Sequence, residues 1–366
     1  MTSNTDLRVG VIGTGLIGTS VALAARRIGC SVRGWDHDRE RTRRASGLGG
    51  LEEAGDLEEA VERADIVVIA TPIPTIPELV ARALACAPDA VVTDVGSVKS
   101  PLVKATLDAV PHTDAVRYVP GHPMGGSERS GPDHASASLI DGIVWVLSPS
   151  GISDPAMVDR LEGWVRAMGA VSVRMDPERH DRLVAFVSHL PQVASTALMS
   201  VAATEEADEP ELLLLAAGGF RDLTRLASSN PGLWSDILLS NRDAIADAID
   251  RYVAQLERLR SQIAERRGTE VEATFAAAQS ARLRMAAKPK VRAGVAVLQV
   301  ELPDRPGALA HLTQALGDGE VNIEDLQISH SPEGGRGTVH LTVAAADAVS
   351  AAEALSAAGF DPIRLA

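Results

Sequence analysis

A glycine pattern near the amino terminus constrains the fold more than any other feature of this chain. In the segment RVGVIGTGLIGTSVALAARRIGCSVRGWDHD it separates an apolar strand pattern from an apolar helix pattern, and Asp36 follows the next apolar strand. A G-x-G-x-x-G turn between a strand and a helix, with an acidic residue about 20 positions further on, is typical of dinucleotide binding. We expect the pyrophosphate to lie at the helix N-terminus. The predicted contacts there are Gly13, Gly15, Leu16, Ile17 and Gly18.

Asp36 also indicates which dinucleotide the chain uses. A carboxylate at the end of the second strand accepts hydrogen bonds from the adenosine ribose hydroxyls, and it repels a 2′-phosphate. We therefore expect NAD as the cofactor. Arg33 and Arg39 stand close by in the sequence and keep NADP as the alternative.

Four further strand patterns follow, with helical stretches between them: ADIVVIAT (64–71), AVVTDVGS (90–97), AVRYVPG (115–121) and IVWVLSP (143–149). This alternation predicts an α/β fold, a Rossmann-type doubly wound parallel sheet, over residues 1–175. Ligands of such sheets bind beyond the carboxyl ends of the strands. Thr71, Ser97 and His122 stand at three of these ends, so we expect them near the nicotinamide, with Thr71 contacting the cofactor.

Residues 176–285 show helical patterns throughout, which predicts a second, all-helical domain. Within its longest helix six apolar side chains recur at spacings of three and four, opposite a charged face: Ile245, Ile249, Tyr252, Leu256, Leu259 and Ile263. Such a seam packs against a core or against a second subunit. Because it is longer than one small domain needs to bury, we expect the helical domain to hold a homodimer.

A basic, proline-containing linker at 286–294 precedes a third domain at 295–366. The pattern there is strand, helix, two strands, helix and a short last strand. This βαββαβ order predicts a small ferredoxin-like sandwich. It contains no evident acid–base pair, so we expect a binding function for it.

Composition argues against several classes of partner. The chain has 366 residues, 45% of them hydrophobic, and a formal charge of −14, which disfavours nucleic acid and anionic lipid. We expect no signal peptide and no membrane-spanning helix, and hence a cytoplasmic protein. Its two cysteines, Cys30 and Cys86, are too few and too isolated for a disulfide framework or a zinc site, so no metal is expected.

The segment VPGHPMGGSERSG (119–131) raises a question about one side chain. It places His122 between a glycine and a proline, in a loop that holds four glycines. We expect neither a helix nor a strand interior to accommodate such backbone. A turn whose histidine faces water would explain the pattern, and so would an imidazole positioned for catalysis.

Several motifs, in their order along the chain, resemble the prephenate/arogenate dehydrogenases of tyrosine biosynthesis: GTGLIGTS, ATPIP, DVGSVK, GHPMGGSERSG, ERHDRLVAFVSHLPQ and GGFRDLTRLASSNPGLW. The carboxy-terminal PDRPGALAHLTQAL…GEVNIEDLQI resembles an ACT domain, a regulatory module that binds small molecules. The resemblance implies an NAD-dependent dehydrogenase that converts prephenate to 4-hydroxyphenylpyruvate and carbon dioxide. Arogenate, which would yield tyrosine directly, is the alternative substrate, since it carries an amine where prephenate has a keto group.

The resemblance also implies catalytic roles. His122 matches the family's catalytic histidine, which accepts the hydroxyl proton of the substrate. Ser97 would support it by hydrogen bonds to the imidazole and the hydroxyl. His189 of SHLPQ matches a second catalytic residue. His180, nine positions earlier, lies about 180° away on an ideal helix, so we expect it outside the site, at a helix start or an interface.

Arginines are expected to bind the substrate carboxylates, because a guanidinium group binds a carboxylate through two hydrogen bonds. The family match falls on Arg225. Arg221, four residues earlier, is either a second contact or a surface residue. Asp222 is expected to orient an arginine, and Trp234 resembles a residue that shapes the pocket.

In domains that resemble residues 295–366, an amino acid binds at the junction of two copies, near the turn after the first strand. This implies a tyrosine site at Asp304 and Gly307, faced by Asn322 and Ile323, and feedback regulation of the enzyme. The alternative is that the domain only stabilises the dimer.

Two other functions are less compatible with the sequence. A β-hydroxyacid dehydrogenase would use a lysine in its helical domain, and this chain has no lysine between residues 175 and 285. A non-catalytic amino-acid sensor would not need the set formed by Ser97, His122, His189 and Arg225.

Overall fold

The structure is a computed structural model that describes residues 7–125, 130–286, 295–303, 305–319, 321–330 and 336–365. The chain divides into two compact units, Met1–Arg258 and Leu259–Ala366.

The first unit begins with a five-stranded parallel sheet whose strand order is β3-β2-β1-β4-β5. Its strands are β1 (Arg8–Ile12), β2 (Ser31–Trp35), β3 (Glu52–Glu53), β4 (Ile66–Ile69) and β5 (Val91–Asp94). The central strands consist mostly of β-branched residues and are buried on both faces, as parallel strands covered by helices are.

Helices cover both faces of this sheet, so the predicted doubly wound architecture is confirmed. They are α1 (Leu16–Arg27), α2 (Arg39–Gly47), α3 (Leu57–Val61), α4 (Ile76–Cys86), α5 (Ser100–Ala109), α6 (His112–Ala115) and α7 (Pro155–Ala167). Apolar residues of α1 and α7 fill one core cluster, and those of α3, α4 and α5 fill another. Aspartates cap several helices, since Asp38, Asp56 and Asp154 each accept a hydrogen bond from a first-turn N–H.

A second, three-stranded sheet continues the domain, and here one prediction was wrong. Its strands are β6 (Gly121–Pro123), β7 (Val144–Leu147) and β8 (Val171–Arg174). Strand β6 pairs antiparallel with β7, so the sheets are not parallel throughout. The expected strand at 115–121 is reduced to one bridge, between Tyr118 and Val92. Helix α6 takes up its first residue, and Pro120 has no N–H to continue a ladder.

The helical part of the first unit contains an irregularity that matters for the site. Its elements are α8 (Pro177–Val184), a π-helical turn (Ala185–His189), α9 (Leu190–Glu205), α10 (Gly218–Thr224), α11 (Pro231–Ser240) and α12 (Arg242–Ala264), which runs on past the first unit. The π turn directly precedes α9, whose first turn contains Pro191, a position where proline is tolerated.

The apolar seam of α12 has two different environments. Ile245 and Ala248 are buried against Ala185 in a small core. Tyr252 and Leu256, further along the same helix, are 40% and 47% exposed. Within the described residues, the beginning of the seam is therefore buried, whereas most of the rest is exposed.

The run Pro177–Glu205 bears on the expectation that no helix of this chain spans a membrane. By length and composition alone it is apolar enough to cross a membrane, with 28% of its apolar window buried. It also holds His180, Asp181 and Gln192, which are buried polar residues.

The second unit contains α13 (Gly268–Ala286) and a four-stranded antiparallel sheet with the order β10-β11-β9-β12. Its elements are β9 (Val295–Pro303), α14 (Ala308–Asp318), β10 (Ile323–His330), β11 (Arg336–Ala344), α15 (Ala348–Ala357) and β12 (Ile363–Leu365). Leucines and valines of the sheet and both helices form one apolar core. The predicted βαββαβ sandwich is confirmed.

Candidate active site

The three glycines of the first turn meet three different steric demands. Gly13 has φ of +93°, and a Cβ on it would lie 2.4 Å from the carbonyl oxygen of Ala70. A Cβ on Gly18 would lie 1.9 Å from the carbonyl oxygen of Gly13, so α1 could not pack this close to the turn. A Cβ on Gly15 would meet no atom within 4 Å. Gly15 precedes Leu16 and the free N–H groups of α1, so this open space fits a pyrophosphate.

Asp36 closes the other side of this turn. It is buried after β2, and its carboxylate accepts a hydrogen bond from the backbone N–H of Thr14 at 2.8 Å and from that of Asp38 at 3.0 Å. Thr71 follows β4, is half-buried and accepts a hydrogen bond from the Thr75 hydroxyl at 2.9 Å. These positions fit the cofactor contacts predicted for both residues.

His122 is the middle residue of β6, not part of an irregular loop as predicted. Its Nδ1 lies 2.8 Å from Nε2 of His180, and the two rings meet edge to face. Nδ1 of His180 lies 2.8 Å from Oδ1 of Asp181. Three side chains thus form one continuous hydrogen-bonded row that ends on a carboxylate.

The same carboxylate anchors the DVGSVK segment. Asp181 accepts hydrogen bonds from the backbone N–H groups of Lys99 and Ser100, each at 2.8 Å, at the start of α5. The Lys99 ammonium is fully buried, pairs with Asp94 and donates to the carbonyl oxygen of Gly121 at 2.6 Å. Because Gly121 directly precedes His122, this buried lysine holds the backbone that carries the histidine.

His189 is held by a different set of partners. The side-chain Nδ2 of Asn241 donates to the backbone carbonyl of Asp181 at 2.9 Å and lies 3.2 Å from Nδ1 of His189. The Trp234 ring packs edge to face against His189, with 6.1 Å between centroids. Trp234 is half-buried, as expected of a residue that shapes a pocket.

Both site histidines favour the neutral form. Burial lowers the pKa of His122 well below its usual value, and the charges of His180, Lys99 and His189 lower it further. Burial also lowers the pKa of His189 to about 4, although Asp181 opposes the shift. At neutral pH each ring therefore has one nitrogen that donates and one that accepts.

The other predicted site residues are not members of this row. Ser97 is half-buried in the turn before α5, and its hydroxyl makes no hydrogen bond to His122 in the structure as described. Arg221 and Asp222 are exposed in the last turns of α10. Arg225 is also exposed and begins a 3₁₀ turn, Arg225–Ser228.

Gln192 joins this turn to the histidine-bearing helix. Its side-chain amide donates to the carbonyl oxygen of Leu226 at 2.8 Å and accepts from the Ser229 hydroxyl at 3.3 Å. The last residue of SHLPQ thus holds the segment that presents Arg225.

Comparison with known proteins identifies the family. The sequence matches "Prephenate dehydrogenase, nucleotide-binding domain" over residues 21–174, "Prephenate dehydrogenase, dimerization domain" over 176–277 and "ACT domain" over 296–360. It is 31% identical over 339 residues to the prephenate dehydrogenase of Bacillus subtilis (strain 168), which covers 90% of each chain. The chain belongs to the prephenate dehydrogenase family.

Two solved structures support this assignment. Prephenate dehydrogenase from Aquifex aeolicus, in complex with hydroxyphenyl propionate and NAD+, is 29% identical with a TM-score of 0.71, over 76% of this chain and 98% of that one. Synechocystis arogenate dehydrogenase is 30% identical with a TM-score of 0.67, over 76% and 100%. This family member is an NAD-dependent oxidoreductase.

His180 is the residue of the dehydrogenase that the sequence analysis placed wrongly. On an ideal α-helix it would point away from His189, but the turn Ala185–His189 is π-helical. A π turn holds more residues than an α turn, so the two histidines are not related by the ideal rotation. His180 lies at the centre of the site and contacts His122 directly.

Sequence reasoning also missed several polar residues that organise the site: Asp94, Lys99, Asp181, Gln192 and Asn241. Four of these stand inside motifs that carry the family resemblance. The signal was present in DVGSVK, where an aspartate and a lysine flank a buried turn. Asn241 lies outside every motif, and only the packing of α11 against the site shows its role.

The expected effector residues lie in the second unit. Gly307 has φ of +86° and directly precedes α14, so the turn after β9 requires a residue that tolerates left-handed backbone. Ile323 begins β10, and Asn322 directly precedes it. Asp304 lies outside the described residues.

Proposed function

We propose that the row formed by His122, His180 and Asp181 is the catalytic centre of an NAD-dependent prephenate dehydrogenase. The observation that carries the proposal is the neutral, half-buried imidazole of His122, held at one nitrogen by His180. Its second nitrogen is available to a substrate hydroxyl. A positioned base of this kind typically raises a rate by about 10²–10⁴-fold.

The reaction needs only one proton acceptor. Gly15 and Asp36 would hold NAD, whose nicotinamide would supply the acceptor for the hydride from C4 of prephenate. His122 accepts the C4 hydroxyl proton as carbonyl character develops there. Loss of carbon dioxide leaves its bonding electrons in the ring, which becomes aromatic, and the proton can return from His122 to the phenol oxygen. The products are 4-hydroxyphenylpyruvate, carbon dioxide and NADH.

Binding of the substrate would divide between neutral and charged groups. His189, with a pKa of about 4, can donate a hydrogen bond but carries no charge at neutral pH. We therefore assign the carboxylates of prephenate to Arg225, with Arg221 as a second contact and Asp222 as an orienting residue. Ser97 would bind the substrate hydroxyl beside His122. Arg225→Gln should raise the KM for prephenate with little change in kcat, and an unchanged KM would remove Arg225 from the site.

Arogenate is the second candidate substrate, favoured by the match to an arogenate dehydrogenase structure at 30% identity. The two substrates differ at one side-chain group, so the discriminating assay compares NADH formation from prephenate and from arogenate under identical conditions. A higher kcat/KM with prephenate supports the main proposal. A higher value with arogenate replaces it.

We also propose that the dehydrogenase is a homodimer held by its helical domain, in a cytoplasmic location. The matched description of residues 176–277 as a dimerization domain supports this. So do exposed apolar side chains of the helical region: Leu183, Phe186, Val187, Leu198, Val201, Tyr252, Val253 and Leu256. In solution, the dimer would bury the apolar side of α8 and α9. Light scattering should give twice the chain mass, and Val187→Asp with Val201→Asp should shift it to the monomer.

Residues 295–366 are proposed to bind tyrosine and to lower the activity. The ACT match and the left-handed turn at Gly307 support a small-molecule site there. Inhibition requires tyrosine to bind the less active state more tightly, typically by about 1–3 kcal/mol. Truncation within residues 286–294 should leave the enzyme active and insensitive to tyrosine. If tyrosine inhibits both forms equally, it competes at the active site and the regulatory proposal fails.

A further inference from the structure

Asp181 ends the hydrogen-bonded row and has several hydrogen-bond partners, although no proton of the reaction proposed above passes to it. Its two carboxylate oxygens accept from the N–H groups of Lys99 and Ser100 and from Nδ1 of His180, and its backbone carbonyl accepts from Asn241. The residue is buried. One buried aspartate therefore contacts partners of both His122 and His189.

The hydrogen bonds that lead from Asp181 through His180 to His122 have directions fixed by the Asp181 carboxylate. A carboxylate only accepts, so Nδ1 of His180 donates to Asp181. In a neutral imidazole the other nitrogen then accepts, so Nε2 of His180 accepts a hydrogen bond from Nδ1–H of His122. This leaves Nε2 of His122 without a proton, as a base requires.

The hydrogen bonds that lead from Asp181 through Asn241 to His189 have directions fixed by the backbone carbonyl of Asp181. The carbonyl of Asp181 only accepts, so the atom of Asn241 that faces it is the amide nitrogen. The same nitrogen lies 3.2 Å from Nδ1 of His189 and donates to it. A neutral His189 then carries its proton on Nε2, as a hydrogen-bond donor requires.

We propose that Asp181 is a positioning residue that sets the two site histidines in opposite tautomers, with His122 as acceptor and His189 as donor. This inference rests on the proposed function for its catalytic meaning, but the tautomers themselves are a property of the unliganded chain. The arrangement gives a bound substrate one acceptor and one donor. When His122 becomes protonated, its Nδ1–H still donates to Nε2 of His180. This hydrogen bond stabilises the cation, as in other carboxylate–histidine sites.

The first test measures the tautomers directly in the full-length enzyme. Histidine labelled with ¹⁵N, observed through two-bond ¹H–¹⁵N correlations at neutral pH, distinguishes a protonated from an unprotonated ring nitrogen. Signals are assigned from the spectra of His122→Asn and His189→Asn. We expect a proton on Nδ1 of His122 and on Nε2 of His189. The same tautomer on both rings, or a proton on Nε2 of His122, would overturn the proposal.

The second test separates positioning from folding. Asp181→Asn introduces an amide that can donate to His180 and reverse the row, so kcat should fall by about 10-fold or more, with an Nε2–H signal on His122. Glu178→Gln, an exposed residue of the same helix, is the matched control and should leave kcat unchanged. An Asp181→Asn enzyme with near-normal kcat would contradict the positioning role.

The third test addresses the donor histidine. Asn241→Leu removes the hydrogen bond to Nδ1 of His189 and should raise the KM for prephenate by about tenfold, with kcat changed much less. Equal losses in kcat for Asn241→Leu and Asp181→Asn would contradict the inference that the two substitutions act on different histidines. If His122→Asn keeps full activity, the catalytic proposal fails. The proposal about the tautomers of His122 and His189 is still decided by the ¹⁵N measurement.

Discussion

The glycine turn between β1 and α1 and the histidine row of His122, His180 and Asp181 are built in different ways. The glycine turn is made mainly by residues 13–36, with Ala70, directly after the neighbouring strand β4, packed against it. The histidine row joins His122 to a residue 58 positions away, and Asp181 to an amide 82 positions away. A local motif therefore accounts for the first site, whereas the second exists only when distant segments fold together.

The two sites also depend on different physical effects. In the glycine turn the backbone must approach itself within distances that a Cβ would block. In the histidine row, proton positions and burial decide the chemistry. Substitutions should consequently act through sterics in one region and through electrostatics in the other.

The largest expected effect tests the electrostatic region. His122→Asn should lower kcat by about 10²–10⁴-fold, because it removes an interaction made mainly in the transition state. The Kd for NAD should change little. His112→Asn, at an exposed position of α6, is the control. Nearly full activity in His122→Asn would return the segment 119–131 to a structural role.

A smaller effect is expected on the choice of cofactor at the glycine turn. Asp36→Ala should raise kcat/KM with NADP relative to NAD by about 10²-fold, because a carboxylate next to a phosphate costs several kcal/mol. Steady-state kinetics with both cofactors measures the ratio. If the unmodified enzyme already prefers NADP, Asp36 does not bind the ribose.

Two glycine substitutions sharpen the steric contrast. Gly18→Ala forces a Cβ against the carbonyl of Gly13, so thermal unfolding should show a loss of about 1–3 kcal/mol. Gly15→Ala meets no protein atom, so stability should be unchanged while the KM for NAD rises. Equal stability losses in both variants would mean that the turn is not packed as described.

Taken per pH unit, the smallest effect is the pH dependence of stability in the buried region. The pKa of His189 falls from 6.5 to about 4 on folding, so between these pH values the unfolded chain binds a proton that the folded chain does not. The free energy of unfolding should therefore decrease as pH falls, by about 1.4 kcal/mol per pH unit from this residue. His122, whose pKa is lowered too, contributes in the same direction.

Denaturant unfolding between pH 7 and pH 4 measures this slope. His189→Asn should reduce it, whereas His112→Asn, exposed on α6, should not. A slope that His189→Asn leaves unchanged would place the responsible protonation elsewhere.

Some elements were predictable because their signal is periodic or local. The β1–α1–β2 unit, the alternation of strands and helices, and the βαββαβ order follow from apolar patterning and turn residues. The short strand β6 was not predictable, because its three residues include a glycine and a proline and pair only through contacts with β7. The domain boundaries and site assignments stay predictions.

The sequence by itself determined the glycine turn, the acidic residue beside it and the presence of His122 and His189, because each stands in a short motif whose residue types already carry the chemistry. Only the tertiary structure decided which groups those histidines contact. The π-helical turn at Ala185–His189 changed the relation between His180 and His189, which no spacing rule for an ideal helix could indicate. The buried carboxylate of Asp181 then gave the site its hydrogen-bond directions, because burial leaves a polar group only the partners that folding brings to it.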